Sequence, residues 1–310
     1  MTLDPAFSDF LGFLRSVGAP GTFDGEPADM RARLEAAIQG GWDPESFASV
    51  ASEHDELIGE DGLRLKIFRP HAPGPVPTVL YFHPGGFIVG SAHLTQDVAR
   101  RLCNELEAVV VSVDYRLAPE HPFPSAVEDA GAALEWVRHN ISDLGGAAGR
   151  IGLVGESSGG NLAVVTALLA ARRGAPPAAV LVASPVTDLT ASYPSTVENA
   201  SGYFLETADL EVISKLYVSG DRALAADERV SPALADDLHL MPPTIVAVAG
   251  FDPLRDDGIV FAGKLLQHGV PATLRVYPDL IHPFFGMPGV SPAADRAVSE
   301  LTEALRRSLG

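Results

Sequence analysis

The segment Gly155-Glu156-Ser157-Ser158-Gly159-Gly160 sets one serine between glycines two positions before it and two after it. An apolar run, Ile151–Val154, precedes the segment, and a helical run, Asn161–Ala171, follows it. A sharp strand-to-helix turn strains such a serine and exposes its Oγ as a nucleophile, while glycines leave room for the close backbone. The helix N-terminus beyond it favours developing negative charge. The spacing selects Ser157 over Ser158. The plainer reading is a tight βα turn rich in small residues, and the strand–turn–helix setting favours the nucleophile over it.

A serine nucleophile needs an oxyanion site, a base and an acid. His83-Pro84-Gly85-Gly86-Phe87 directly follows the run Thr78–Phe82. Glycine lets backbone N–H groups approach a developing oxyanion, so Gly85 and Gly86, together with the Ser158 N–H, form a candidate hole. Each such donor lowers an acyl-transfer barrier by roughly 3 kcal/mol. Standing alone, this stretch would read as a glycine-rich turn with a structural histidine. The run Ile245–Ala249 leads into Gly250-Phe251-Asp252-Pro253-Leu254, and Leu274–Tyr277 leads into Pro278-Asp279-Leu280-Ile281-His282-Pro283-Phe284. After Asp252 the only histidines are His268 and His282. His268 ends a helical stretch and reads as a solvated terminal residue. Asp279 is too close to His282 in sequence to be its partner, and Asp256 and Asp257 fall on the following helix in a supporting position. A lone Asp after a strand is usually a helix cap. The order Ser157, Asp252, His282 instead suggests a catalytic triad for acyl transfer.

These motifs must be positioned by a sheet. Short apolar runs at Thr78–Phe82, Val109–Val113, Ile151–Val154, Ala179–Val182, Ile245–Val248 and Leu274–Tyr277 alternate with helical patterns at about 93–107, 124–140, 160–173, 254–268 and 293–308. Such alternation predicts βα units and a largely parallel sheet. Every chemical motif then falls just after a strand, on the one sheet edge where open α/β folds bind ligands. Ahead of these runs, Glu56–Ile58 and Leu63–Phe68 flank Asp61-Gly62, a tight-turn pair that predicts a hairpin. Residues 1–50 carry helical spacing at Phe7, Phe10, Leu11, Leu14 and Val17, and again over Ala28–Ile38. They are expected to form N-terminal cap helices before a catalytic domain at 51–310. The roughly 60 residues from Ser184 to Pro243 exceed what a simple crossover needs, which predicts a cap insertion at about 186–230. His83, Asp252 and His282 each precede a proline, which disfavours helix at all three.

Composition narrows the partners. The 310 residues carry a formal net charge of −18 and a single cysteine, Cys103. The charge disfavours nucleic acid and anionic lipid. One cysteine excludes an intrachain disulfide. No apolar run of spanning length occurs and Met1–Pro20 lacks a leader pattern, so the expectation is a cytoplasmic protein with no membrane span. Phe7, Phe10 and Phe13 are expected to pack a cap rather than dock on lipid. No phosphate loop or H-E-x-x-H pattern is present, and the chemistry needs no metal or cofactor.

At these residues the sequence resembles the bacterial hormone-sensitive-lipase-like esterases. The most specific stretch is Val113-Asp114-Tyr115-Arg116-Leu117-Ala118-Pro119-Glu120-His121-Pro122-Phe123-Pro124-Ser125-Ala126, followed by Asp252-Pro253-Leu254-Arg255-Asp256-Asp257-Gly258. The resemblance runs from about Leu63 onward. It implies an α/β-hydrolase fold, a mostly parallel eight-stranded sheet flanked by helices with a helical cap. It also implies a triad of Ser157, Asp252 and His282, with oxyanion donors at Gly85, Gly86 and Ser158. His83 becomes a loop-organising residue, and Tyr115, Arg116 and Glu120 a supporting network. Glu156 reads most simply as an acid at a helix N-terminus, with support of the elbow as the other reading. Two positions depart from the family: Pro84 stands where its loop has glycine, and Pro283 where glycine usually follows the histidine. The implied activity is hydrolysis of short-to-medium acyl esters, small-molecule substrates, with Phe87, Tyr203, Phe204 and Phe285 as pocket candidates. A homodimer through the last strand and helix fits the resemblance. Amide, lactone or carbamate cleavage would use the same groups. A non-catalytic ligand-binding member would lack the histidine that is present here.

Overall fold

The hairpin forms between β1 (Ser52–Ile58) and β2 (Leu63–Arg69), paired antiparallel with Ile58 opposite Leu63 in a computed structural model that describes residues 2–310. Its turn is longer than the Asp61-Gly62 pair alone. Residues 59–62 make the loop, and Gly59 and Gly62 both take positive φ, at 69° and 68°. The expected parallel strands follow: β3 (Val76–Phe82), β4 (Val109–Asp114), β5 (Gly146–Glu156), β6 (Ala179–Ala183), β7 (Thr244–Phe251) and β8 (Ala272–Ile281). The sheet has eight strands in the order β1-β2-β4-β3-β5-β6-β7-β8; β2 meets β4 antiparallel and every later pairing is parallel.

The continuous apolar runs have a simple cause, since strands buried on both faces need apolar residues at every position. In β3, Leu80 and Phe82 enter one core, while Val79 and Tyr81 enter the other. The first core is closed by α4 (Ser125–His139), α5 (Ser158–Arg172) and α8 (Arg255–Gln267). The second is closed by α3 (Gln96–Glu105) and α9 (Pro292–Leu309). The two N-terminal helices part company. Phe7 and Leu11 of α1 (Pro5–Ser16) are buried in the second core, whereas Met30 of α2 (Pro27–Gly40) is buried in the first. Of the three aromatics on α1, Phe7 is buried, Phe10 packs against Phe204 with centroids 6.0 Å apart, and Phe13 is exposed.

Between β6 and β7 the inserted residues form two helices, α6 (Pro194–Glu198) and α7 (Thr207–Tyr217), then short 3₁₀ turns. Strand β8 continues past Pro278, where the apolar run stops. An irregularity opposite Ala249–Phe251 restores pairing at Phe251–Ile281 and delivers His282 one residue beyond the strand end. The Pro278 carbonyl is so near Gly250 that a Cβ there would sit 2.3 Å from it. No helix among the described residues is long and apolar enough to cross a membrane.

Candidate active site

Ser157 sits between the last residue of β5 and the first of α5, with φ 57° and ψ −122°. This left-handed conformation costs a non-glycine residue on the order of 1–3 kcal/mol. The flanking glycines hold it there. A Cβ at Gly155 would lie 2.1 Å from the Gly159 carbonyl, and one at Gly159 would lie 2.0 Å from the Phe82 carbonyl. The Ser157 N–H donates to Ala183 O at 2.9 Å, tying the turn to β6. Among the described residues its hydroxyl makes no hydrogen bond. Catalytic contacts of this kind are often long without substrate and tighten when it binds.

Asp252, fully buried just beyond β7, divides its two carboxylate oxygens. Oδ1 accepts the Leu254 N–H at 2.8 Å, capping the approach to α8. Oδ2 accepts from His282 Nδ1 at 3.1 Å. The capping role usual for a lone Asp and the pairing with histidine therefore coexist on one side chain. The His282 bond fixes the proton on Nδ1 and leaves Nε2 as the free acceptor. Burial pushes the His282 pKa down, but the charge and hydrogen bond of Asp252, with Glu156 and Asp209 beyond, bring it above the ordinary histidine value.

Glu156 departs from its simplest sequence reading. It is fully buried rather than set on the solvated start of a helix. Its carboxylate accepts the Phe285 N–H on Oε1 at 2.8 Å and the Gly286 N–H on Oε2 at 2.9 Å. The residue before Ser157 thus grips the loop that carries His282. Burial raises its pKa to about 7, against the lowering pull of His282 and the two N–H groups.

The glycine loop after β3 is tightly specified. Gly85 has φ 133°, and a Cβ there would lie 2.0 Å from the Val89 carbonyl; Gly86 has φ 61°, and a Cβ there would meet Ile213 of α7 at 2.7 Å and Phe23 at 2.9 Å. The Gly85 carbonyl accepts from Ile88 and Val89, while the N–H groups of Gly85 and Gly86 donate to nothing among the described residues. Ser158 opens α5, so its N–H has no partner within the helix. His83 is buried and stacked on Tyr115 with centroids 4.2 Å apart, its Nδ1 bonding Pro84 O at 2.9 Å. The Tyr115 hydroxyl donates to His83 O at 2.8 Å. Burial lowers the His83 pKa, so the ring stays neutral near pH 7. Pro84, where the sequence departs from the family's glycine, supplies only a carbonyl here and removes neither of the free donors.

Three further residues join the site without having been singled out in the sequence. Arg31 of α2 donates to Ile88 O and Ala118 O, both at 2.8 Å, and pairs bidentately with Glu120, so it braces the glycine loop from outside. Asn199, just after α6, donates to Gly250 O at 3.2 Å and Asp252 O at 3.1 Å. Asp209 of α7 adds charge near His282 while accepting the Glu206 N–H. A lone Arg on an amphipathic helix, or an Asn or Asp in a cap, carries no pattern that would mark it.

The remaining assignments sort by burial and contact. Asp257 accepts from the Thr187 N–H and hydroxyl, and Asp256 accepts from the Ser195 N–H at 2.9 Å, so both acids hold the inserted segment. His268 caps the exposed end of α8. Arg116 is locked to Asp129 in a bidentate pair. Two pocket candidates are corrected. Phe87, 1% exposed, is stacked on Tyr217 at 3.7 Å, and Phe285, 0% exposed, belongs to the second core, so packing uses their surfaces. Tyr203 and Phe204 are half-buried and keep some surface free.

An eight-stranded sheet with a strained serine elbow after a central strand defines the class of protein. A family model described as alpha/beta hydrolase fold matches residues 79–286, and the chain belongs to that family. The chain is 41% identical to Esterase LipI of Mycobacterium tuberculosis over 74% of its own length and 72% of that protein's. It is 35% identical to an ethyl acetate hydrolase of Pseudomonas putida over the whole of both chains. The solved structure of a thermostable esterase from Pseudomonas putida superposes with a TM-score of 0.93 at 31% identity, covering 100% of this chain and 98% of that one. The resemblance to hormone-sensitive-lipase-like esterases read from the sequence holds.

Proposed function

We propose that this chain is a serine carboxylesterase acting on short-to-medium acyl esters of small molecules. Ser157 is the nucleophile, His282 the base and Asp252 the acid that orients it. His282 Nε2 takes the Ser157 proton as Oγ attacks the ester carbonyl. The N–H groups of Gly85, Gly86 and Ser158 bind the tetrahedral oxyanion. The imidazolium then protonates the leaving alcohol, and water repeats the sequence on the acyl-enzyme. His83 and Glu156 support the loops, and Tyr203 and Phe204 shape the pocket. The reading rests foremost on the Asp252–His282 hydrogen bond, set in a loop that Glu156 ties to the Ser157 elbow. The names of the similar proteins supply the ester substrate class. The lone buried cysteine supports a cytoplasmic location, and the open edge of β8 supports a homodimer.

The test is hydrolysis of p-nitrophenyl esters from acetate to palmitate by wild type and Ser157→Ala together. Turnover of the shorter esters, lost by several orders of magnitude in the variant, is the expected outcome. Equal inactivity of both proteins would instead favour a ligand-binding role, and turnover of amides, lactones or carbamates alone would reassign the substrate.

A further inference from the structure

The inserted segment grips the loop that carries the acid. Asn199, 5% exposed, sends its amide hydrogens to the carbonyls of Gly250 and Asp252. One turn earlier, Ser195 donates its hydroxyl to Pro253 O at 2.8 Å and receives the Asp256 N–H at 3.1 Å. Its own N–H bonds Asp256 Oδ2. Glu198 adds an ion pair to Arg255 at 2.7 Å. The carbonyl at 250, near the end of β7, and those at 252 and 253, just beyond it, all meet the inserted segment. Buried carbonyls need partners; Asn199 and Ser195 serve all three, sharing Asp252 O with the Arg255 N–H at 3.1 Å and Gly250 O with Arg255 Nη1 at 3.4 Å.

We propose that Asn199 is a positioning residue for the Asp252–His282 pair, so that the inserted segment sets the geometry of the acid as well as covering the site. The proposal rests on the triad assigned above. Asn199 reaches no reacting atom and acts through the backbone of Asp252. Loosening that backbone lengthens the carboxylate–imidazole bond, which weakens the tautomer control of His282 and its stabilisation when protonated. The ionisable groups facing His282 are Asp252 after β7, Glu156 at the end of β5 and Asp209 on α7. Removing the Asn199 amide alters none of their charges directly.

The experiment compares wild type, Asn199→Ala, Ser195→Ala and Val197→Ala, the last on the same helix but 77% exposed. Turnover of p-nitrophenyl acetate is measured alongside an NMR titration of the His282 imidazole. Asn199→Ala is expected to lower kcat about tenfold or more with little change in KM, as suits the loss of two buried hydrogen bonds near the chemistry. The His282 pKa should fall, and Val197→Ala should match wild type. Ser195→Ala should show the same pattern more weakly and replaces Asn199→Ala should that variant not fold. Unchanged kcat with an unchanged His282 pKa overturns the proposal, as does a rise in KM alone. A wild type that turns over no ester while its His282 pKa still drops in Asn199→Ala would sink the esterase reading and keep the positioning role.

Discussion

Replacing Glu156 by Gln is expected to separate activity from stability. The carboxylate accepts two consecutive N–H groups, from Phe285 at 2.8 Å and Gly286 at 2.9 Å. Glutamine offers one acceptor oxygen and turns an NH₂ donor toward the other N–H. One charge-assisted bond is lost, the other becomes neutral, and a buried donor is orphaned, at about 1–3 kcal/mol. Taking about 2 kcal/mol as expressed in the placement of His282, kcat/KM falls roughly 30-fold. Folding carries an opposing term. The Glu156 pKa rises from 4.5 to about 7 in the folded protein. A raised carboxyl pKa leaves stability unaffected below the unfolded value and withdraws it as pH climbs through the folded one, by about 3 kcal/mol above pH 7. That penalty is net of the two N–H bonds, and the neutral amide escapes it, so the variant should be no less stable than wild type to thermal unfolding near pH 8. Loss of the Glu156 charge also lowers the His282 pKa and moves the acid limb of the rate profile to lower pH. The assay is kcat/KM for p-nitrophenyl acetate from about pH 5 to 9, with melting curves at each end. A variant with wild-type kcat/KM and an unmoved acid limb would refute the reasoning.

The wild-type profile itself should rise with pH through a midpoint above the ordinary histidine value, because His282 must be neutral to accept the Ser157 proton; a flat rate between about pH 5 and 8 contradicts its role as base. Gly86→Ala places a Cβ within 3 Å of Ile213 and Phe23 at a φ of 61°. It should lower kcat by about tenfold or more through a displaced oxyanion donor with circular dichroism unchanged, and full activity would remove Gly86 from the hole. Arg31→Lys cannot serve Ile88 O, Ala118 O and both Glu120 oxygens together. The exposed ion pair contributes little, so the expected loss of about 1–2 kcal/mol in chemical denaturation comes mainly from the two carbonyls, and an unchanged midpoint would show that water replaces the arginine.

The central strands were legible because they are buried on both faces and so run almost wholly apolar, as in β3 and β4. The elbow was legible because glycines stand wherever two backbones touch, at Gly155 and Gly159. Asp252 and His282 were legible from their places after strands. Partnerships across the chain were not. Glu156 and Phe285 are 129 residues apart, and nothing in either local pattern marks the bond between them. Asn199 and Arg31 look like any polar residue of a cap or helix surface. The continuation of β8 past Pro278 depends on Gly250 opposite, which the strand's own residues do not reveal. Nothing in the local sequence of Phe87 marks its stacking on Tyr217 of α7.

The conformation of Ser157 sets the proposed nucleophile at odds with the protein's own folding equilibrium. A residue at φ 57° is held roughly 1–3 kcal/mol above a relaxed one, within a net stability that for a domain is typically only about 5–15 kcal/mol. Selection for folding alone would drift this position toward glycine, which sits there without penalty. Reactivity and robustness therefore compete at a single side chain. The close backbone contacts of Gly155 and Gly159 decide the contest by leaving the elbow nowhere to relax, and any lineage released from the reaction would be freest to change at this residue.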